Sequence, residues 1–114
     1  MRTIICGGRS YRLTTEDYAA LESIRPSITM LVSGGAAGAD RDAEAWAASH
    51  GITRCICRAQ WDTVSGGMLA YAQACIAFQG GEGTDAIVAA AQRQGLLVLD
   101  WRGKSRDASA LDLL

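Results

Sequence analysis

Three glycine-rich turns hold most of the residues whose types and spacing suit chemistry. Cys6-Gly7-Gly8-Arg9 follows the apolar pair Ile4-Ile5, and Ser33-Gly34-Gly35-Ala36-Ala37-Gly38-Ala39-Asp40-Arg41 follows Leu31-Val32. Phe78-Gln79-Gly80-Gly81-Glu82-Gly83-Thr84 follows Cys75-Ile76-Ala77 and runs into a helical pattern. A turn with little side-chain bulk between a strand and a helix lets a ligand approach the main chain. Its N–H groups and the helix N-terminus then favour an anion. One such turn is weak evidence. Three at successive strand ends point to a site for a phosphate-bearing small molecule.

Individual residues sharpen this reading, each beside a plainer one. Arg9 suits bidentate phosphate contact, or is a solvated loop arginine. Gly80, Gly81 and Gly83 form either the floor of a ligand cradle or only a tight strand-to-helix turn. In the cradle, the Thr84 hydroxyl reaches a phosphate or ribose oxygen while the Gly83 and Thr84 N–H groups face the same anion. Asp40 suits an N-cap. Arg41 beside it opposes the helix dipole, so a partner or ligand role fits it better than bare exposure. Trp61, in a polar loop with Asp62 and Thr63, stacks on a base or covers the core. His50, next to Gly51, suits a solvated cap at a helix end. As it is the sole histidine and lies away from every glycine-rich turn, neither a Ser/His/Asp set nor a Cys/His set is evident.

The bulk properties narrow the classes. A chain of 114 residues predicts one domain spanning 1–114 with a modest core. The net charge of −1 and pI near 5.7 lack the basic footprint of a nucleic-acid binder, so phosphate recognition has to be local. No apolar stretch approaches the roughly 20 residues that span a bilayer, and the start is too short for a signal-peptide core. A cytoplasmic protein with no membrane partner is expected. Four cysteines and one histidine do not supply the usual four-ligand zinc set, so no metal and no cofactor are expected and the cysteines read as reduced and structural. On a strand, Cys55 and Cys57 point to the same face.

Strands are expected at residues 3–6, 28–32, 53–57, 75–78 and 96–99. Helices are expected from Thr14 or Thr15 to just before Pro26, over 41–49, over 85–94, and as a short piece after Gly66-Gly67 carrying Met68, Leu69 and Ala72. The polar tail after Trp101 ends in a docked turn or a frayed end. Strands alternating with helices imply a parallel sheet covered on both faces. All three glycine-rich turns then fall at its carboxyl edge, where open α/β sheets bind ligands.

Taken in order, Gly7-Gly8-Arg9, Gly38-Ala39-Asp40-Arg41, Trp46-Ala47, Gln60-Trp61 and Gly80-Gly81-Glu82-Gly83-Thr84 resemble the YspA-like branch of the SLOG superfamily. That superfamily groups the Smf/DprA proteins with the Lonely Guy phosphoribohydrolases, and the resemblance covers roughly residues 2–99. It implies a single Rossmann-like three-layer domain with a sheet of about five strands in order 3-2-1-4-5. It also implies a nucleotide-derived ligand held by Gly7, Gly8, Arg9, Gly34, Gly35, Ala36, Gly38, Asp40, Arg41, Trp61, Gly80, Gly81, Gly83 and Thr84. For Asp40 it adds a ligand contact, such as a ribose hydroxyl. Two departures bear on catalysis and contact: Ile87 stands where the hydrolases of this group carry a glutamate, and no Arg-Asn pair follows Ser65-Gly66-Gly67. Binding by a sensor or sequestering protein, with no catalytic residue, is therefore expected ahead of N-glycoside hydrolysis. The alanine-rich helix faces would allow a homo-oligomer.

Overall fold

A computed structural model describes residues 1–57, 68–103 and 105–113. Five strands, β1 (Arg2–Cys6), β2 (Met30–Ser33), β3 (Thr53–Ile56), β4 (Ala74–Phe78) and β5 (Leu97–Trp101), alternate with helices α1 (Thr15–Ile24), α2 (Ala39–Ser49), α3 (Met68–Tyr71) and α4 (Glu82–Arg93). Every strand pair is parallel, and the order is β3-β2-β1-β4-β5. The chain winds outward from β1 to β3 and then crosses back to β4 on the other side of β1. That reversal opens a crevice between the carboxyl ends of β1 and β4.

Alternation along the strands sorts the core into two layers. Ile5, Leu31, Ile76 and Leu99 pack with Leu21 and Ile24 of α1 and with Ala43, Trp46 and Ala47 of α2. Ile4, Val32, Cys75 and Ala77 face the opposite way, against Leu69 and against Ile87, Val88 and Ala91 of α4. All five residues of central β4 are buried, whereas edge strand β3 leaves Thr53, Arg54 and Ile56 exposed. No helix among the described residues is long and apolar enough to cross a membrane.

Several element ends differ from the sequence expectation. Strand β2 begins at Met30, because Arg25–Ser27 forms a 3-10 turn after α1 and its carbonyl at Arg25 takes the Ile28 N–H (3.0 Å). Helix α2 begins at Ala39, two residues early, and α4 at Glu82, three early. In both helices a glycine stands at the N-cap: the Asp42 N–H reaches the Gly38 carbonyl (3.0 Å), and the Asp85 N–H reaches that of Gly81 (3.1 Å). Strand β5 runs on to Trp101, whose indole N–H donates to the Asp107 carbonyl (2.9 Å) and ties the tail down. The tail's closing turn, Ser109–Leu113, docks through Leu111 on the α1 side of the core.

Candidate functional site

The three turns meet at the reversal point and enclose a cavity of about 500 Å³. Its lining combines Gly7, Gly8 and Arg9 from the first turn, Gly34, Ala36 and Asp40 from the second, and Gly81, Gly83 and Thr84 from the third. Cys6 and Ile87 complete it. Of the residues picked out in the sequence, Gly35, Gly38, Gly80 and Arg41 lie beside the cavity without lining it, and Trp61 lies outside the described residues.

Close backbone contact holds the turns together. The Gly8 N–H donates to the Gln79 carbonyl (2.9 Å), joining the first turn to the third, and the Ala39 N–H donates to the Gly8 carbonyl (3.3 Å), joining it to the second. Gly38 has φ +75°, and a Cβ there would lie 2.5 Å from the Gly8 carbonyl oxygen, so only glycine fits on both counts. A Cβ at Gly80 would stand 2.2 Å from Thr84 Oγ1 and 2.7 Å from the Gly8 nitrogen. The next residue is the reverse. Gly81 has φ −102° and, among the described residues beyond its chain neighbours, nothing within 4 Å of a would-be Cβ, so this position is conformationally ordinary and it lines the cavity. Gly83 is equally open. Adjacent glycines thus divide between packing and vacancy.

The early starts of α2 and α4 matter electrostatically. Both N-termini reach the cavity through their own residues, Asp40 from α2 and Gly83 and Thr84 from α4. The first-turn N–H groups of a helix have no intrahelical partner and carry the positive end of its dipole. Arg9 adds a full charge; it is exposed, and among the described residues no carboxylate comes within ion-pair distance of it.

Among the described residues Asp40 is the one acid in the lining, and it is buried. Its carboxylate accepts the Ala36 N–H (3.2 Å). Burial pushes its pKa up to about 6, and the charge of Glu44 one turn on pushes the same way. The Ala36 and Gly7 N–H groups and the Arg9 charge oppose this without cancelling it. Glu44 itself takes the Ser33 hydroxyl (2.7 Å), and the Ser33 oxygen takes the Gly35 N–H (3.1 Å), which fixes the second turn. Asp40 is therefore a cavity-facing acceptor and not the helix cap, a place Gly38 holds. Arg41 is exposed in the first turn of α2 with no ion pair among the described residues.

Cys6 is a lining residue that sequence reasoning assigned only to the core. A hydrogen bond with Cys75 and then burial raise its thiol well above the ordinary range, so it presents a neutral, unreactive surface. All four cysteines are free, and Cys55 and Cys57 face the same way with sulfurs 3.5 Å apart. Ile87, which the family resemblance put at the position of the hydrolases' glutamate, lines the cavity as an apolar wall, one turn from Gly83 on the same helix face. The two other acids of the third turn do not line the cavity: Glu82 is exposed, and Asp85 pairs with Arg102 (2.8 Å). His50 is the C-cap of α2, as expected, its backbone N–H reaching the Ala47 and Ala48 carbonyls, but it is half-buried and not solvated. Its ring lies against Trp46, with centroids 5.0 Å apart, its Nδ1 lies 2.9 Å from the Trp46 carbonyl, and its Nε2 meets Glu22. Among the described residues no group of three or more His, Cys, Asp or Glu side chains is placed to hold a metal.

Comparison with known proteins agrees with the arrangement. The family described as "YspA, cpYpsA-related SLOG family" matches residues 1–63, more than half of the chain. No curated protein and no solved structure gave a match.

Proposed function

The chain belongs to the YspA, cpYpsA-related SLOG family, and from that premise we propose that it binds a nucleotide or nucleotide-derived small molecule as a sensor or a sequestering protein. The observation that carries this reading is the convergence of all three glycine-rich turns on one cavity. The ligand's phosphate lies against the α4 N-terminus, where Gly81 and Gly83 leave room for it and the Thr84 hydroxyl reaches its oxygens. Arg9 supplies the opposing charge from the first turn. Asp40 accepts hydrogen bonds from ligand hydroxyls, a role open to a buried, cavity-lining carboxylate whose acceptor capacity the Ala36 N–H does not exhaust. The polar groups are few and convergent, as in other small-molecule sites. Denaturing the purified protein and identifying released small molecules by mass spectrometry, followed by calorimetry on the hits, tests it. A phosphorylated nucleoside derivative is expected. Release of none, with no heat from any nucleotide, contradicts the reading.

One observation favours a second reading, N-glycoside hydrolysis of a nucleoside monophosphate. A carboxyl group with a pKa near 6 is well matched to proton transfer at neutral pH, and Asp40 faces the cavity. In this reading Asp40 protonates the leaving base or activates water, and Ile87 fills the wall that a glutamate occupies in the hydrolases. Free base appearing on incubation with nucleoside monophosphates, and vanishing in Asp40→Asn, would favour hydrolysis over binding alone.

A further inference from the structure

A second cavity, of about 380 Å³, lies on the far side of the first turn. Ser10, Tyr11, Gln79 and Gly80 line it together with Gly8, Arg9 and Gly81, and those last three also line the cavity described above. We propose that the two cavities are the lobes of one site for a ligand with two ring-bearing halves joined through a phosphate bridge, the bridge lying over Gly8 and Gly81 beside Arg9. The inference rests on the nucleotide-binding reading and extends it to the class of ligand.

Three features carry the step. The saddle between the lobes is built largely of backbone: the first and third turns touch there through the Gly8 N–H and the Gln79 carbonyl (2.9 Å). A Cβ at Gly8 would stand 3.1 Å from the Gly80 Cα, so these turns approach as closely as main chains can. Gly81, shared by both linings, has nothing among the described residues beyond its chain neighbours within 4 Å of its missing Cβ. A ligand can therefore cross from one lobe to the other without displacing a side chain.

The second feature is charge. Among the described residues Arg9 is the one charged side chain common to both lobes, and no acid pairs with it. A cation poised over the middle of a trough favours an anion in the middle of its ligand. A ligand with its anion at one end would leave that charge facing a neutral ring.

The third is the difference in lining. The first lobe offers a buried carboxylate for hydroxyl donors. Among the described residues the second is lined by uncharged groups apart from Arg9, including Ser10, Tyr11 and Gln79. Tyr11 is held rigidly, its ring parallel to Phe78 at 6.1 Å and its hydroxyl bonded to Asp17 (2.5 Å). A fixed aromatic beside neutral hydrogen-bonding groups suits a second ring. Either lobe alone is within the size range of small-molecule pockets, so one half fills one lobe and leaves the other vacant.

The test uses the four ribonucleoside 5′-monophosphates and the four symmetrical dinucleoside 5′,5′-diphosphates, titrated calorimetrically into the whole chain. At least one dinucleoside diphosphate is expected to bind tenfold or more tightly than its monophosphate. Ser10→Trp, which fills the second lobe from an exposed position, is expected to erase that gain while leaving monophosphate affinity within about twofold. Gln79→Trp repeats the block from the opposite turn should the first variant fail to fold. Gly83→Leu, filling the first lobe, is expected to weaken both compounds. Monophosphate binding with no gain for any dinucleoside diphosphate, or equal losses for both compounds in the second-lobe variants, overturns the two-lobed site and leaves the single-cavity reading standing. No binding by any of the eight compounds overturns both.

Discussion

Two acidic residues occupy nearly the same place on two helices and meet opposite fates. Asp17 is the third residue of α1, Asp40 the second of α2, and both are buried. Asp17 is saturated by its own chain: the Thr14 N–H (3.0 Å), the Tyr11 hydroxyl (2.5 Å) and the Arg106 guanidinium (2.7 Å) all donate to it. Burial alone would raise its pKa, but those bonds and the Arg106 charge outweigh it and hold the carboxyl below its usual range. Asp40 has the Ala36 and Gly7 N–H groups and, among the described residues, no cation in ion-pair contact, so burial wins and its pKa rises to about 6. The first acid is spent on the fold. The second is kept at a cost in stability, which is how a functional site commonly departs from a structural one.

The largest expected effect comes from breaking the satisfied member. Asp17→Ala leaves Arg106 and the Tyr11 hydroxyl without their acceptor and is expected to cost about 3–5 kcal/mol, the usual penalty for removing one partner of a buried pair. Urea denaturation at pH 7 measures it. A loss under about 1 kcal/mol would mean that Asp17 and Asp40 do not differ in kind.

The same measurement on Asp40→Asn is expected to move the other way. A carboxyl whose folded pKa exceeds its unfolded value, 3.8, binds more protons when folded between that value and about 6. Stability therefore falls as pH rises through this window and stays lower above it. Asparagine still accepts the Ala36 N–H and carries no charge. A gain of about 2–3 kcal/mol at pH 7 follows from 1.36 kcal/mol per pKa unit, and it should vanish below pH 4. For Asp17, with its lowered pKa, the sign reverses: its contribution is complete above pH 3.8 and is lost as pH falls through its folded value. A destabilised Asp40→Asn at neutral pH would place Asp40 among the structural acids.

The arginines extend the contrast. Arg9→Ala is expected to weaken a phosphorylated ligand by about 1.5–3 kcal/mol, the range for hydrogen bonds to charged groups. It should affect the dephosphorylated analogue much less and change stability by no more than about 0.5 kcal/mol. Equal losses for the two compounds would remove Arg9 from the phosphate role.

How much of this was legible in the sequence follows the range of the interactions. The parallel sheet and the gathering of three turns at one edge follow from local patterns, because glycines after apolar runs mark strand ends and βα alternation implies a parallel sheet. The strand order 3-2-1-4-5 was legible only through the family resemblance. The early helix starts were hidden by the habit of expecting a side-chain cap, whereas Gly38 and Gly81 cap through backbone alone. The split between Gly80 and Gly81 was illegible, since it depends on where Thr84 and Gly8 come to rest. For the polar tail the sequence offered a docked turn or a frayed end, and it docks, but its ion pairs were not legible. Arg106 reaches back 89 positions to Asp17, and Arg102 draws Asp85 away from the cavity.

The central claim, that this cavity holds a phosphate-bearing ligand against the open third turn, is tested most directly by Gly81→Val. A Cβ at Gly81 meets no atom of the described residues beyond its chain neighbours within 4 Å and needs no unusual φ, yet Gly81 lines the cavity assigned to the ligand, so a branched side chain there is expected to take up ligand space. Calorimetric titration of the nucleotide released from the wild-type protein into the variant, alongside its thermal unfolding, gives both readouts. A folded Gly81→Val protein with binding abolished is the predicted result. A folded variant that binds with wild-type affinity would contradict the account.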